Sequence, residues 1–326
     1  MSELQKLRWA VLGTGVIANQ MAQALQSMGR TLDAVGNRTY DKGVTFAEKY
    51  GVPKVYTDYN DMFTDPEIDV IYITTPHNTH MVFLEKALSH GKHVLCEKSI
   101  TLNSQELDRA VSLARENGVV LAEAMTIYHM PLYRELRERV ASGALGKVNL
   151  VQLNFGSYKV YDMSNRFFNP KLAGGAMLDI GVYAFSLARL FLDSKPDQVS
   201  SFVRKAPTGV DESAAIAMAN REGQLVTAAL SLHSKQPKRA VISCEKGYIE
   251  IMEYPRADEA VIVDAETGQR ETVKAGRTAD ALRYELEDME QAIRTGGNML
   301  LPYTADVMDL MTRLRSEWGV IYPEEM

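Results

Sequence analysis

The chain has 326 residues, a formal net charge of -6, a pI near 5.6 and no basic run, which argues against nucleic acid or an anionic membrane as the main partner and points to a small molecule. Its length exceeds the roughly 250–300 residues at which single cores stop growing, so two domains are expected. Charged residues before the first short apolar run, the lack of any stretch near about 18 apolar residues, and only two cysteines imply a soluble, unexported protein of the reducing cytoplasm, with Cys96 and Cys244 as small buried hydrophobes.

The first predicted strand, Arg8 to Leu12, runs into Gly13, and Ile17, Met21, Ala24, Leu25 and Met28 then recur at helical spacing. Between them lies Gly13-Thr14-Gly15-Val16-Ile17-Ala18, a GxGxxA turn. The first glycine permits the tight turn, the second lets backbone approach a pyrophosphate, and the small third residue lets helix and strand pack closely. The helix start then offers free N–H groups to phosphate, so Gly13, Thr14, Gly15, Val16 and Ile17 are candidate dinucleotide contacts.

A second strand, Leu32 to Gly36, ends in Asn37-Arg38-Thr39, where no acid stands to bind a ribose 2'-hydroxyl. Asp33 lies too early and Asp41 suits the N-cap of the next helix, around Thr45 to Tyr50. Arg38 suits a 2'-phosphate, which favours NADP over NAD.

A strand near Val55 and the fully apolar Asp69 to Ile73 follow, the latter ending in Thr74-Thr75-Pro76-His77-Asn78-Thr79-His80. Loops at the carboxyl ends of parallel strands hold ligands in open α/β sheets, so this one is assigned to the cofactor. His77 and His80 lack the Cys or acid cluster of a metal site, and no metal is expected. A helix from Met81 to Ser89, a strand from His93 to Cys96, Glu97-Lys98, a helix from Ser104 to Glu116 and a strand from Val119 to Ala122 complete a doubly wound parallel sheet. The division is drawn at residues 1–125 and 126–326.

After Pro131 a helix, Leu132 to Ser142, gives way to period-two alternation, with Val151, Leu153 and Phe155 on one face. Further strands are predicted at Gln198 to Lys205, Ala214 to Ala219, Leu225 to Leu232, Ala240 to Ser243, Tyr248 to Met252 and Ala260 to Val263, with helices at Asp280 to Arg294 and Thr304 to Trp318. This is an α+β domain with an open, largely antiparallel sheet, whose uncovered face suits a homodimer or higher oligomer. Within it, Gly174-Gly175 leads to Asp179 and Tyr183, four residues apart and so on one helical face. Such an acid and phenol can point together into a cleft, and Arg166 stands near in sequence as a candidate substrate contact.

Four segments, GTGVIA at 13–18, YITTPHNTH at 72–80, GKHVLCEKS at 91–99 and AGGAMLDIGVY at 173–183, together resemble the Gfo/Idh/MocA oxidoreductases. The ending at 308–323 is similar to that of the branch containing dihydrodiol and xylose dehydrogenases. The resemblance implies an NAD(P)-dependent dehydrogenase of sugars, polyols or related hydroxy and carbonyl compounds. It places the family's catalytic lysine on Lys98 and its helix acid and terminal phenol on Asp179 and Tyr183, and makes Thr74, Thr75, Pro76, Asn78, His80, Glu97 and Lys98 cofactor contacts. Lys98 and Tyr183 would handle the proton, although both side chains titrate near 10 unless neighbours lower them. Two departures stand out: Ser99 replaces the usual proline, so no cis bond is expected after Lys98, and Tyr128 replaces a frequent arginine. A catalytically silent dinucleotide-binding regulator, or a reductase of a non-sugar dicarbonyl or imine, would use the same fold.

Overall fold

The computed structural model describes residues 6–326, which fall into two compact units. The first holds a six-stranded parallel sheet of β1 (Trp9–Leu12), β2 (Ala34–Gly36), β3 (Lys54–Tyr56), β4 (Val70–Ile73), β5 (His93–Glu97) and β6 (Leu121–Ala124), in the order β3-β2-β1-β4-β5-β6. This is the dinucleotide-binding order, with the reversal between β1 and β4. The strands β1 and β4 are buried along their whole length, because helices cover both faces of a parallel sheet. The crossovers are α1 (Val16–Ser27), α2 (Tyr40–Tyr50), α3 (Tyr59–Thr64), α4 (His80–Ser89) and α5 (Ser104–Glu116).

Two local expectations change here. The helix α2 begins at Tyr40 with Thr39 as its N-cap, leaving Asp41 in the first turn. The helix α3 was not expected, since six residues are too few to show a period; Asp58 caps it by accepting from Asn60 N–H at 2.8 Å.

The first unit breaks off at Ala124, beside the drawn division, but it takes in a later stretch as well. The helix α8 (Ala281–Thr295) belongs to the first unit, together with residues up to 301. Its Leu282, Leu286 and Met289 join Trp9, Met21, Leu25 and Tyr72 in one core, while Trp9 donates its indole N–H to Glu290 at 2.9 Å and Arg30 pairs with the same carboxylate at 2.7 Å. Buried aromatic N–H groups need such a partner. Amphipathic spacing shows that a helix has an apolar face but not which sheet receives it.

The second unit contains α6 (Pro131–Ala141), α7 (Val182–Phe191), α9 (Leu301–Trp318) and an eight-stranded sheet. Its strands are β7 (Val148–Gly156), β8 (Gln198–Lys205), β9 (Asp211–Ala219), β10 (Leu225–Ser231), β11 (Gln236–Cys244), β12 (Gly247–Met252), β13 (Glu259–Asp264) and β14 (Arg270–Lys274). The order is β14-β13-β12-β11-β7-β10-β9-β8, antiparallel except where β7 and β10 pair in parallel. The helix α7 packs on β7. Counted with the turns before it, the helical run over 170–191 is long and apolar enough for a membrane span, against expectation, but most of it is buried inside the protein, as befits a core helix.

Candidate active site

In the first unit, Gly13 has φ +105, and a Cβ there would lie 2.7 Å from Thr74 Oγ1, so glycine is required by both backbone and packing. Gly15 differs. It caps α1 in an extended conformation, and a Cβ there would meet nothing within 4 Å. Nothing in the protein's own packing demands glycine at 15; the open space in front of it, at a helix start with no side-chain cap, fits a pyrophosphate laid against backbone N–H groups. Val16 is 79 % exposed at this mouth, whereas Ala18 is buried against the sheet. Thr14 donates its hydroxyl to Asn37 Oδ1 at 3.2 Å, and Asn37 donates to the Thr39 carbonyl at 2.8 Å, which ties the phosphate turn to the end of β2. Arg38 projects there, exposed and in no hydrogen bond or ion pair with the described residues.

The loop after β4 is stitched to β1 through Thr74, whose N–H and hydroxyl both donate to the Leu12 carbonyl, at 2.9 and 3.0 Å. Thr79 donates to Thr75 Oγ1 at 2.8 Å, Pro76 is exposed, and Asn78 is half-buried. The two histidines serve the segment carrying Lys98. His77 Nε2 lies 2.9 Å from the Lys98 carbonyl oxygen, and His80 Nδ1 lies 3.0 Å from that of Ser99 and 3.2 Å from that of Ile100. The other ring nitrogen of His80 is 2.8 Å from the Thr75 carbonyl oxygen, so this fully buried ring has no nitrogen left for a cofactor. Burial pushes the His80 imidazole below its ordinary value, with the Lys98 charge acting the same way against the pull of the three carbonyls.

The bond between Lys98 and Ser99 is cis, contrary to what replacing proline by serine leads one to expect. Ser99 is fully buried, and the carbonyls of 98, 99 and 100 are all engaged by imidazoles; sequence identity at 99 shows none of these partners. Lys98 is half-buried, and Tyr72 donates its hydroxyl to Glu97. Glu123, buried on β6, accepts from the Ile100 N–H at 3.1 Å and holds the same segment from the other side.

In the second unit, Asp179 sits in a π-helical turn, Met177–Gly181, that leads into α7. Over residues 173–188 only Asp179 and Tyr183 are not buried. Arg166 Nη2 stands 3.7 Å from Asp179 Oδ1, its guanidinium over the Phe167 ring at 4.3 Å. The Tyr183 ring packs against Phe155 with centroids 5.9 Å apart. Arg166, Asp179 and Tyr183 thus share one region of this unit, while Lys98 and the dinucleotide turn share one region of the other. Glu123, His77 and Phe155 carry no local signal that marks them for these roles; their partners are distant in sequence. Among the described residues no group of three or more His, Cys, Asp or Glu is placed to hold a metal ion.

A model of an oxidoreductase family with an NAD-binding Rossmann fold, GFO/IDH/MocA, matches residues 7–125, and a model of that family's C-terminal domain matches 133–250. Trans-1,2-dihydrobenzene-1,2-diol dehydrogenase of Mus musculus is 28% identical over 98% of this chain and 99% of its own length, and that of Xenopus laevis is 29% identical over 97% and 99%. Among solved structures, a 3-ketoreductase from Actinomadura kijaniata in complex with NADP and TDP-benzene superposes with a TM-score of 0.86 at 21% identity, covering 96% of this chain and 98% of that one. A levoglucosan dehydrogenase in complex with NADH and levoglucosan gives 0.85 at 18% identity over the same shares. At these identities the two structures speak for the fold.

Proposed function

The chain belongs to the GFO/IDH/MocA oxidoreductases, NAD(P)-dependent enzymes, and from that premise we propose that it transfers hydride between the nicotinamide and a ring hydroxyl or carbonyl of a sugar, polyol or diol. The observation that carries the substrate reading is the half-exposed polar pair of the second unit, since in an otherwise buried stretch only an acid and a phenol reach the surface. The names of the relatives support it: a dihydrodiol dehydrogenase, a levoglucosan dehydrogenase and a 3-ketoreductase.

When bound, the nicotinamide takes or gives the hydride at C4. The chain's own residues do the rest. Lys98 and Tyr183 exchange the proton of the reacting hydroxyl, each able to donate or accept at one atom, Nζ or Oη. Asp179, drawn toward Arg166, accepts hydrogen bonds from substrate hydroxyls and turns them toward that pair. Gly13 to Ile17, the loop 74–78 and Glu97 hold the dinucleotide, and the exposed Arg38 takes a 2'-phosphate, which makes NADP the preferred cofactor. We further place the protein in the cytoplasm, where its two unpaired thiols stay reduced, and assign it a homodimer through the sheet of the second unit.

The test is to follow nicotinamide absorbance with NADP and a panel of pentoses, hexoses, inositols and trans-dihydrodiols. Turnover with a member of the panel is expected, and Lys98→Met should lower kcat, measured at saturating NADP, by about 10²–10⁴-fold. A Lys98→Met protein that keeps near wild-type turnover would refute the role of the lysine. Binding of NADP with no turnover on any panel member would instead favour a silent regulator.

A further inference from the structure

At the start of β9, against the turn that leads into the substrate helix, lies a carboxylate that the proposed reaction does not use. Asp211 opens β9, is fully buried, and accepts a hydrogen bond from the Met177 N–H at 2.6 Å through Oδ2. Met177 is the first residue of the π-helical turn that contains Asp179. The other oxygen, Oδ1, is buried with no hydrogen-bond partner and presses on Gly175, where a Cβ would lie 2.3 Å from it. Gly175 also has φ +130. Its neighbour Gly174 is held through its carbonyl, which accepts from the Tyr322 hydroxyl at 2.7 Å, and a Cβ at 174 would fall 2.7–2.9 Å from backbone atoms of 166, 167 and 169. The glycine pair of the motif therefore exists to let other backbone and the Asp211 carboxylate close on the start of the helix.

We propose that Asp211 is a positioning residue: its carboxylate fixes the turn from 175 to 177, and through it the placement of Asp179 and Tyr183 toward substrate. The inference rests on the roles given to those two side chains above. The rest of the segment 173–188 is locked in the core, so a displacement of the turn reaches the protein surface only at Asp179 and Tyr183. An asparagine or serine could accept from the same N–H without burying charge, but as a weaker, neutral acceptor. A fully buried carboxylate is a costly choice for a structural cap, and such costs gather where placement matters more than stability.

The charged and titratable groups around Asp211 are Arg315 of α9, whose charge favours the carboxylate, Tyr322, and Glu325, which pairs with Arg315 at 2.7 Å. Burial outweighs them and lifts the Asp211 carboxyl to about 7. The ionised form accepts N–H bonds more strongly than the neutral one, so the turn tightens as pH rises through neutrality.

The experiment uses the full chain carrying Asp211→Asn, with Asp211→Ala beside it. For Asp211→Asn the expected result is a kcat about tenfold lower or more, of the size a small misplacement causes. NADP affinity should be unchanged, and the step near neutral pH in the wild-type kcat profile should be lost. Thermal stability at pH 8 should equal or exceed that of wild type, the opposite of what losing a structural contact does. A kcat and pH profile like wild type would overturn the proposal. If the wild type turns over no panel member, the proposed function fails separately. Asp211 is then judged by amide exchange over 175–183, where faster exchange in Asp211→Asn at pH 8 supports the role and unchanged exchange rejects it. Should Asp211→Ala not fold, Asp211→Asn still decides.

Discussion

In the proposed function, Arg38 is the residue on which cofactor choice turns. The position was readable in sequence, because the end of the second strand faces the adenosine ribose in this fold and no acid stands there. The structure adds that the guanidinium is exposed and unpaired among the described residues. A charge-assisted bond to phosphate contributes about 1.5–3 kcal/mol, so Arg38→Ala should raise the KM for NADP by roughly 10–100-fold and leave that for NAD nearly unchanged, as steady-state kinetics with each cofactor would show. His80 went the other way: its loop suggested a cofactor ligand, yet both ring nitrogens meet backbone carbonyls. Asp211 has its own pH signature. Its folded value of about 7 stands above the ordinary 3.8, so the folded protein binds this proton more tightly than the unfolded chain. The stability this contributes is complete below about 4 and is lost as pH rises to about 7. The difference in Tm between Asp211→Asn and wild type should therefore move in the variant's favour across that window and stay level above it.

Among the elements, α5 matches its predicted span, Ser104–Glu116, because its apolar spacing and terminal Asn117-Gly118 signal agree. The short strand β14 went unseen, being a polar edge strand with only Val273 buried. The helix α8 is the instructive case: its period was legible, its destination was not. Leu286 is fully buried in the core of the first unit beside Trp9. Truncating it leaves a cavity there, so Leu286→Ala should cost about 2–5 kcal/mol in chemical denaturation and weaken NADP binding through the first unit. An unchanged midpoint would mean that α8 does not hold that unit together. The turn at Gly175 makes a second case: Gly175→Ala would strain both φ and the contact with Asp211.

For the whole molecule, the eight-stranded sheet has one face carrying α7 and another whose outward residues include Phe202, 81 % exposed, with the small Ala215 paired beside it and Ala217 further along β9. Exposed alanines beside an exposed phenylalanine on one sheet face fit self-association by face packing. Sedimentation should find a dimer that Phe202→Glu converts to monomer; a wild-type monomer at micromolar concentration would reject it. By itself the sequence determined the doubly wound first sheet, the glycine turn, the lysine after β5 and the acid–phenol pair, because each depends on residues close in the chain: a period, a turn conformation, a four-residue spacing. Only the tertiary structure decided which unit receives α8, that imidazoles hold the backbone around Lys98, and that Asp211 grips the turn before Asp179. Those contacts join residues tens to hundreds of positions apart, and local periodicity holds no record of which distant group will satisfy a buried polar atom.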